Sequence, residues 1–140
     1  MSAPDVVVFD FDYTLANSAP GIITCYEHAF ALMHLERPDA DAIRRTIGLT
    51  LPQGFDALTA GRHAERSSEF VGRYVRHADA VMNDLTRLFA DVHDVVESLF
   101  ARGIRLGIVS TKYRYRIEHV LERERLARCF AVVIGGEDVV

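Results

Sequence analysis

A short apolar run stands near the start of the chain, and two aspartates follow it at once. The run is Val6-Val7-Val8-Phe9, and the aspartates are Asp10 and Asp12. An uninterrupted β-branched run of this length predicts a strand buried on both faces, as in the parallel sheet of an α/β protein. Ligands of open α/β sheets bind at the carboxyl ends of strands. The order of these residues therefore predicts a functional site at Asp10 and Asp12.

The rest of the chain alternates in character in a way that defines a fold class. Apolar residues recur at helical spacing between positions 18 and 84, where we expect no strand. Residues 104–109 and 130–134 then predict two further strands, separated by a charged helix over 113–127. We therefore expect an α/β fold: an incomplete three-layer, Rossmann-like parallel sheet core, formed by 1–17 and 85–140, with an inserted all-helical block at 18–84.

Composition excludes several classes of function. The net charge of −4 gives no basic surface for nucleic acid, and no apolar stretch reaches the length of a membrane span. The N-terminus lacks a basic region followed by a long apolar stretch, so we expect no signal peptide. Cys25 and Cys129 match no metal-ligand spacing, which predicts reduced thiols. We expect a cytoplasmic protein that binds neither nucleic acid nor membrane.

Two carboxylates at the end of one strand can divide the work of phosphate chemistry. Asp10 can act as a nucleophile that attacks phosphorus and forms a mixed anhydride. Asp12 can protonate the leaving oxygen and then deprotonate the attacking water. The same negative charge favours Mg²⁺, which prefers oxygen ligands, so Asp10 and Asp12 are also the candidate metal ligands.

The string around the aspartates is similar to a known motif. Residues 7–15, Val-Val-Phe-Asp-Phe-Asp-Tyr-Thr-Leu, resemble the first motif of the haloacid dehalogenase (HAD) superfamily in its phosphatase branch. The resemblance implies a second motif after any insertion, and residues 106–112 fit it. In that comparison the helical block corresponds to the cap of the phosphoglycolate-phosphatase-like branch, which sets substrate choice.

The resemblance also implies which residues bind the substrate. These are Thr14 in the first motif, and Ser110, Thr111 and Lys112 in the second. Ser110 would donate a hydrogen bond to a phosphate oxygen, with help from the Thr111 backbone N–H. Without the first motif, Ser-Thr before a helix would be interpreted as a helix N-cap. For Lys112 two interpretations stay open: a phosphate contact, or a solvated cation at a helix start.

The function implied by the resemblance is a Mg²⁺-dependent phosphatase that hydrolyses a small phosphorylated metabolite through an aspartyl-phosphate. A phosphosugar mutase is an alternative, because it uses the same two aspartates. A dehalogenase fits less well, because that branch lacks the second aspartate, which is present here as Asp12. Tyr13 departs from the branch, which usually has Gly at this position.

The end of the chain raises a further alternative. The resemblance implies a third motif with a Lys and a fourth with acids for Mg²⁺, both after a segment like 134–138, but the sequence stops at Val140. We therefore expect a fragment, with weak Mg²⁺ binding and poor turnover by residues 1–140 alone, or a catalytically incompetent domain that serves in binding or assembly. In either case the first strand would be an open edge through which copies self-associate.

Overall fold

The computed structural model describes residues 2–139. Its contacts divide the chain into two compact units. The first unit contains the residues up to Asn17 and those from Arg87 onward, and the second is Ser18–Thr86. That the first unit is a catalytic core and the second a cap remains a proposal. The ends of the predicted core, Met1 and Val140, lie outside the described residues.

The elements alternate as the sequence patterns predict, with a helical block between the first two long strands. In chain order they are β1 (Val6–Phe9), β2 (Ala16–Asn17), α1 (Ala19–Leu32), α2 (Ala40–Arg44), α3 (Leu51–Thr59), α4 (Ser67–Val81), β3 (Arg87–Leu88), α5 (Val92–Ala101), β4 (Arg105–Val109), α6 (Arg114–Arg123) and β5 (Phe130–Ile134). Short 3₁₀ helices lie at Ala64–Arg66, Ala127–Cys129 and Gly136–Asp138.

The first unit is built on a parallel sheet with the strand order β1-β4-β5. Because the order advances in one direction and such crossovers are right-handed, α5 and α6 belong on the same face of the sheet. The core confirms this arrangement, since Leu106 and Ile108 of β4 share one buried cluster with Val96 of α5 and Ile117 of α6. The parallel α/β fold expected from the sequence is thereby confirmed.

The opposite face of the sheet is exposed within the described residues. Val6 is 48% exposed, Val8 57%, Val109 47% and Val132 51%. The prediction that the first strand is buried on both faces is therefore wrong for residues 2–139. Only its alternate side chains, such as Phe9, pack into the core, because both crossover helices lie on that side. A second helical layer is likewise not found among the described residues.

The second unit is helical, and named strands are absent from its described residues. Local chemistry sets its helix starts: Asp39 caps α2 through the Ala42 N–H, and Thr50 forms a capping box with Gln53 at α3. The helices enclose a core that includes the aromatic residues Tyr26, Phe30, Phe55, Phe70 and Tyr74. The long helix α4 begins at Ser67, after the 3₁₀ turn at Ala64–Arg66. No helix in residues 2–139 combines the length and apolar character that a membrane span needs.

Candidate active site

The loop after β1 is anchored by a buried side chain. Phe11 is fully buried, and its carbonyl accepts the N–H groups of Thr14, Leu15 and Ala16 at 3.2, 2.9 and 3.1 Å. The polar residues on either side of Phe11 are thereby held at the carboxyl end of the strand. Asp10 is exposed, and its Oδ1 accepts the Phe11 N–H at 2.6 Å.

Tyr13, where the branch usually has Gly, adopts a left-handed conformation. Its φ is 61°, a region in which side chains other than Gly, Asn and Asp are uncommon. The Tyr13 N–H donates to the Ala16 carbonyl at 2.8 Å, which closes the turn. Tyr13 is 47% exposed, and it lies on the same loop as the two aspartates. The usual Gly is explained by this backbone conformation, and Tyr adopts it here at a conformational cost of about 1 kcal/mol.

The loop after β4 lies beside the loop after β1. Phe9 pairs with Ile108 in the parallel register, so the two strands end at the same edge of the sheet. Ser110 is 9% exposed, its N–H donates to the Ile134 carbonyl at 3.0 Å, and its Oγ accepts the Lys112 N–H at 3.2 Å. Ser110 is not the N-cap of α6, because that position is Tyr113. The hydroxyl proton of Ser110 is not used in the bond from Lys112 and can be donated to a ligand.

Lys112 is not a solvated cation. Its side chain is only 6% exposed, and Nζ lies 3.3 Å from Oδ1 of Asp12, whose side chain is 12% exposed. This contact is at ion-pair distance but does not have hydrogen-bond geometry, since Asp12 Oδ1 has no hydrogen-bond partner among the described residues. The structure thus excludes the interpretation of Lys112 as a solvated cation at a helix start. Lys112 instead forms a buried ion pair between the loop after β4 and the loop after β1.

The loop after β5 supports Lys112 from behind. The Gly136 N–H donates to the Lys112 carbonyl at 3.0 Å, and Glu137 Oε2 accepts the Arg114 N–H at 2.8 Å. A Cβ on Gly136 would lie 2.3 Å from the Thr111 carbonyl oxygen, so only glycine fits without a shift. This supporting loop was not among the predicted site residues, although two adjacent glycines after a strand are a signal for a turn or a close backbone approach.

The sequence-predicted site residues lie on two adjacent loops. Asp10, Asp12 and Thr14 belong to the loop after β1, and Ser110, Thr111 and Lys112 to the loop after β4. Asp12 and Lys112 are brought into direct contact. Thr14 and Thr111 are exposed on the same two loops. The roles assigned to these residues remain proposals.

The donor set at this edge fits part of a Mg²⁺ shell. Asp10 presents an exposed carboxylate, and hard oxygen ligands of this kind suit Mg²⁺, which commonly uses one or two carboxylates and keeps several waters. No group of three or more His, Cys, Asp or Glu side chains in residues 2–139 is arranged to hold a metal. A shell built here would therefore rely on Asp10, Asp12 and oxygen ligands from solvent or substrate.

Comparison with known proteins gives a consistent family. Pyrophosphatase PpaX of Anoxybacillus flavithermus is 29% identical over 135 residues, which cover 96% of this chain and 61% of the relative. The phosphoglycolate phosphatase of Escherichia coli O157:H7 is 28% identical over 159 residues, with 95% and 61% covered. The chain thus spans 61% of the length of these curated relatives.

A solved structure agrees more closely. The crystal structure of a protein named as a haloacid dehalogenase-like hydrolase from Bacteroides fragilis matches with a TM-score of 0.93 and 41% identity, covering 99% of this chain and 66% of that one. The sequence profile of the family described as haloacid dehalogenase-like hydrolase matches residues 7–140. That match includes both loops of the candidate site. The chain therefore belongs to the haloacid dehalogenase-like hydrolase family.

Proposed function

We propose that the protein is a phosphatase that hydrolyses a phosphate ester through an aspartyl-phosphate on Asp10. The observation that carries the proposal is the meeting of two carboxylates and a buried ammonium at one edge of the parallel sheet. Asp12 and Lys112 are 3.3 Å apart there, and Asp10 is exposed beside them at the end of β1. Family membership supports the same reaction class, because two of the relatives are named as a pyrophosphatase and a phosphoglycolate phosphatase.

The proposed reaction has two steps. In the first, a carboxylate oxygen of Asp10 attacks phosphorus, the bond from phosphorus to the leaving oxygen breaks, and Asp12, after taking up a proton from solvent, donates it to that oxygen. In the second, Asp12 removes a proton from water, which attacks phosphorus and breaks the bond to Asp10. Inorganic phosphate leaves, Asp12 releases its proton to solvent, and both carboxyl groups return to their starting states.

Phosphate binding is the proposed role of the neighbouring polar groups. Ser110 supports it best, because its Oγ accepts the Lys112 N–H and keeps its own proton for a phosphate oxygen. Thr14 and Thr111 are exposed on the two loops and would add donors. Lys112 lies beside Asp12 at the same edge, where its positive charge favours an anionic substrate without requiring a direct contact with the phosphate.

Mg²⁺ is the proposed cofactor, held by Asp10 and Asp12. Both residues belong to the loop after β1 and offer carboxylate or backbone carbonyl oxygens, the ligand type that this ion prefers. When bound, the ion would offset the repulsion between an anionic nucleophile and an anionic phosphate.

The proposed substrate is a small phosphorylated metabolite, and the proposed compartment is the cytoplasm. Two of the relatives are named as a pyrophosphatase and a phosphoglycolate phosphatase, so pyrophosphate and phosphoglycolate are the first compounds to assay. Cys25 and Cys129 are buried and form no disulfide among the described residues, which agrees with a reducing compartment.

Self-association is a second proposal, and a different observation favours it. The exposed valines of β1, β4 and β5 form an apolar sheet face, and the outer edge of β1 is unpaired within the described residues. Such edges and faces associate with other chains unless they are covered. This surface would serve a domain that acts in assembly, and it is also compatible with the phosphatase proposal.

The test of the phosphatase proposal compares three asparagine variants of the protein that contains this chain. We expect Asp10→Asn to reduce Mg²⁺-dependent turnover to background, since an amide is not a competent nucleophile. Asp12→Asn should lose about 10²- to 10⁴-fold on an ester whose leaving oxygen needs a proton. Asp5→Asn is the matched control, because Asp5 is exposed at the opposite end of β1. Turnover by Asp10→Asn within tenfold of wild type would overturn the proposal.

A further inference from the structure

We infer that Lys112 is a positioning residue that holds the Asp12 carboxylate in place for proton transfer, and is not itself a ligand of the phosphate. The inference rests on the proposed phosphatase function and assigns Lys112 a narrower role than substrate binding. It is based on the contacts of Lys112 itself, on the burial of the pair and on the loops that support it.

The ammonium group of Lys112 is paired with the Asp12 carboxylate. Lys112 Nζ lies 3.3 Å from Asp12 Oδ1, and the two side chains are 6% and 12% exposed. Asp12 Oδ1 has no hydrogen-bond partner in residues 2–139, so charge attraction from Lys112 is what holds this oxygen. An ion pair with so little water around it is weakly screened, which makes the attraction effective at fixing the carboxylate.

The backbone of Lys112 is itself held by hydrogen bonds on both sides. Its N–H donates to Ser110 Oγ at 3.2 Å, and its carbonyl accepts the Gly136 N–H at 3.0 Å. The loop after β5 is in turn closed on itself, because Asp138 accepts the Gly135 N–H at 2.9 Å. The loops after β4 and β5 therefore hold the lysine backbone together, with the ammonium beside Asp12.

The ion pair keeps the Asp12 carboxylate oriented for both steps of the proposed reaction. Asp12 acts as an acid in one step and as a base in the other, so its oxygens must stay aimed at the reacting oxygen throughout. Without Lys112, a buried carboxylate lacking a partner would turn towards water. Misplacement of a catalytic group by about 1 Å is enough to lower a rate about 100-fold.

A positioning role and a phosphate-binding role predict different kinetics. If Lys112 acts through Asp12, Lys112→Met lowers kcat and leaves KM and the inhibition constant of inorganic phosphate unchanged. The loss should be large for alkyl phosphates, whose leaving oxygen needs a proton, and small for 4-nitrophenyl phosphate. If Lys112 binds phosphate, both constants rise, and every substrate is affected alike.

The experiment is a double-mutant cycle in the protein that contains this chain. Wild type, Lys112→Met, Asp12→Asn and the double variant are assayed with an alkyl phosphate and with 4-nitrophenyl phosphate, with inorganic phosphate as the inhibitor. We expect Lys112→Met to lower kcat on the alkyl phosphate about 10- to 100-fold in the wild-type background, and to have no further effect once Asp12 is Asn. Lys112→Arg should recover part of the loss.

Controls separate misfolding from misplacement. Lys112→Gln keeps a polar side chain and provides a second neutral variant if Lys112→Met fails to fold. Arg102→Met removes an exposed cation at the opposite edge of the sheet and should leave kcat unchanged.

Two outcomes would overturn the inference, and they are distinguishable. An equal loss from Lys112→Met in the Asp12→Asn background, or a raised inhibition constant for phosphate, shows that Lys112 acts on the phosphate, while the phosphatase proposal stands. No turnover by wild type on any phosphate ester removes the proposed function and this role with it.

Discussion

Removing Lys112 should destabilise the first unit by an amount that the ion pair predicts. Nζ and Oδ1 of Asp12 are 3.3 Å apart, and the side chains are 6% and 12% exposed. At an effective dielectric constant of about 20, the attraction at this distance is about 5 kcal/mol. Transfer of both charges from water offsets most of that gain, so the intact pair adds little net stability. Lys112→Met leaves one buried charge unpaired, and we expect the free energy of unfolding to fall by about 3 kcal/mol.

The assay is urea unfolding followed by far-UV circular dichroism, because the chain contains no tryptophan. With a denaturant slope of about 2 kcal/mol/M, Lys112→Met should lower the midpoint by about 1.5 M. Combining it with Asp12→Asn removes both charges and should recover most of the loss. Arg37→Met is the control: it breaks an ion pair with Glu27 whose side chains are 77% and 27% exposed, and should shift the free energy by less than about 1 kcal/mol. Equal midpoints for Lys112→Met and Arg37→Met would refute the reasoning.

Three further predictions follow from other parts of the structure. Gly136→Ala should lower stability by about 1–3 kcal/mol and impair turnover, because the added carbon would lie 2.3 Å from a carbonyl oxygen. Gly72→Ala is the control and should not destabilise, because a carbon added there has nothing within 4 Å. Equal thermal melts of the two variants would contradict this. Burial, and then the charge of His28, lower the pKa of His77, and the two rings stack at 3.9 Å. The second unit should therefore be less stable as the pH falls below about 6.5, where the unfolded chain takes up the proton more readily; His77→Gln should flatten that dependence, and an unchanged melting profile against pH would count against it. Val8, 57% exposed, lies on the apolar sheet face, so Val8→Lys should reduce self-association of residues 1–140 in light scattering; an unchanged particle size would reject this surface.

The longer elements could be predicted because their patterns are local. The apolar runs at β1, β4 and β5 and the helical periodicity of α1 and α5 depend only on neighbouring residues. The strands β2 (Ala16–Asn17) and β3 (Arg87–Leu88) are two residues long and carry no periodicity, so the sequence offered no signal for them. Their pairing depends on contacts distant in the sequence.

The exposure of one sheet face depends on topology. An apolar run such as Val6–Phe9 is typical of a strand covered on both sides, yet Val6 and Val8 are exposed because both crossover helices pack against the other face. The apolar run indicates that both faces of the strand could be buried. In residues 2–139 the strand order determines which of the two faces the helices cover.

Part of the candidate site was predictable, because its position follows from the order of residues along the sequence. Asp10, Asp12 and Ser110 follow strands, so the rule that ligands bind at the carboxyl ends of strands located them. The burial of Lys112 against Asp12 was not predictable, because it requires the β1–β4 register and the support of Gly136. A lysine before a helix looks the same in the sequence whether it is solvated or paired.

The most direct test of the central claim is to identify the phosphorylated residue during turnover. The protein that contains this chain is mixed with a phosphate ester and Mg²⁺, quenched rapidly in acid, treated with borohydride and examined by peptide mass spectrometry. Borohydride converts an aspartyl phosphate to homoserine, and we expect that conversion at Asp10 in wild type, with none in Asp10→Asn. Phosphate release without any label at Asp10, or with the label on another residue, would contradict the account.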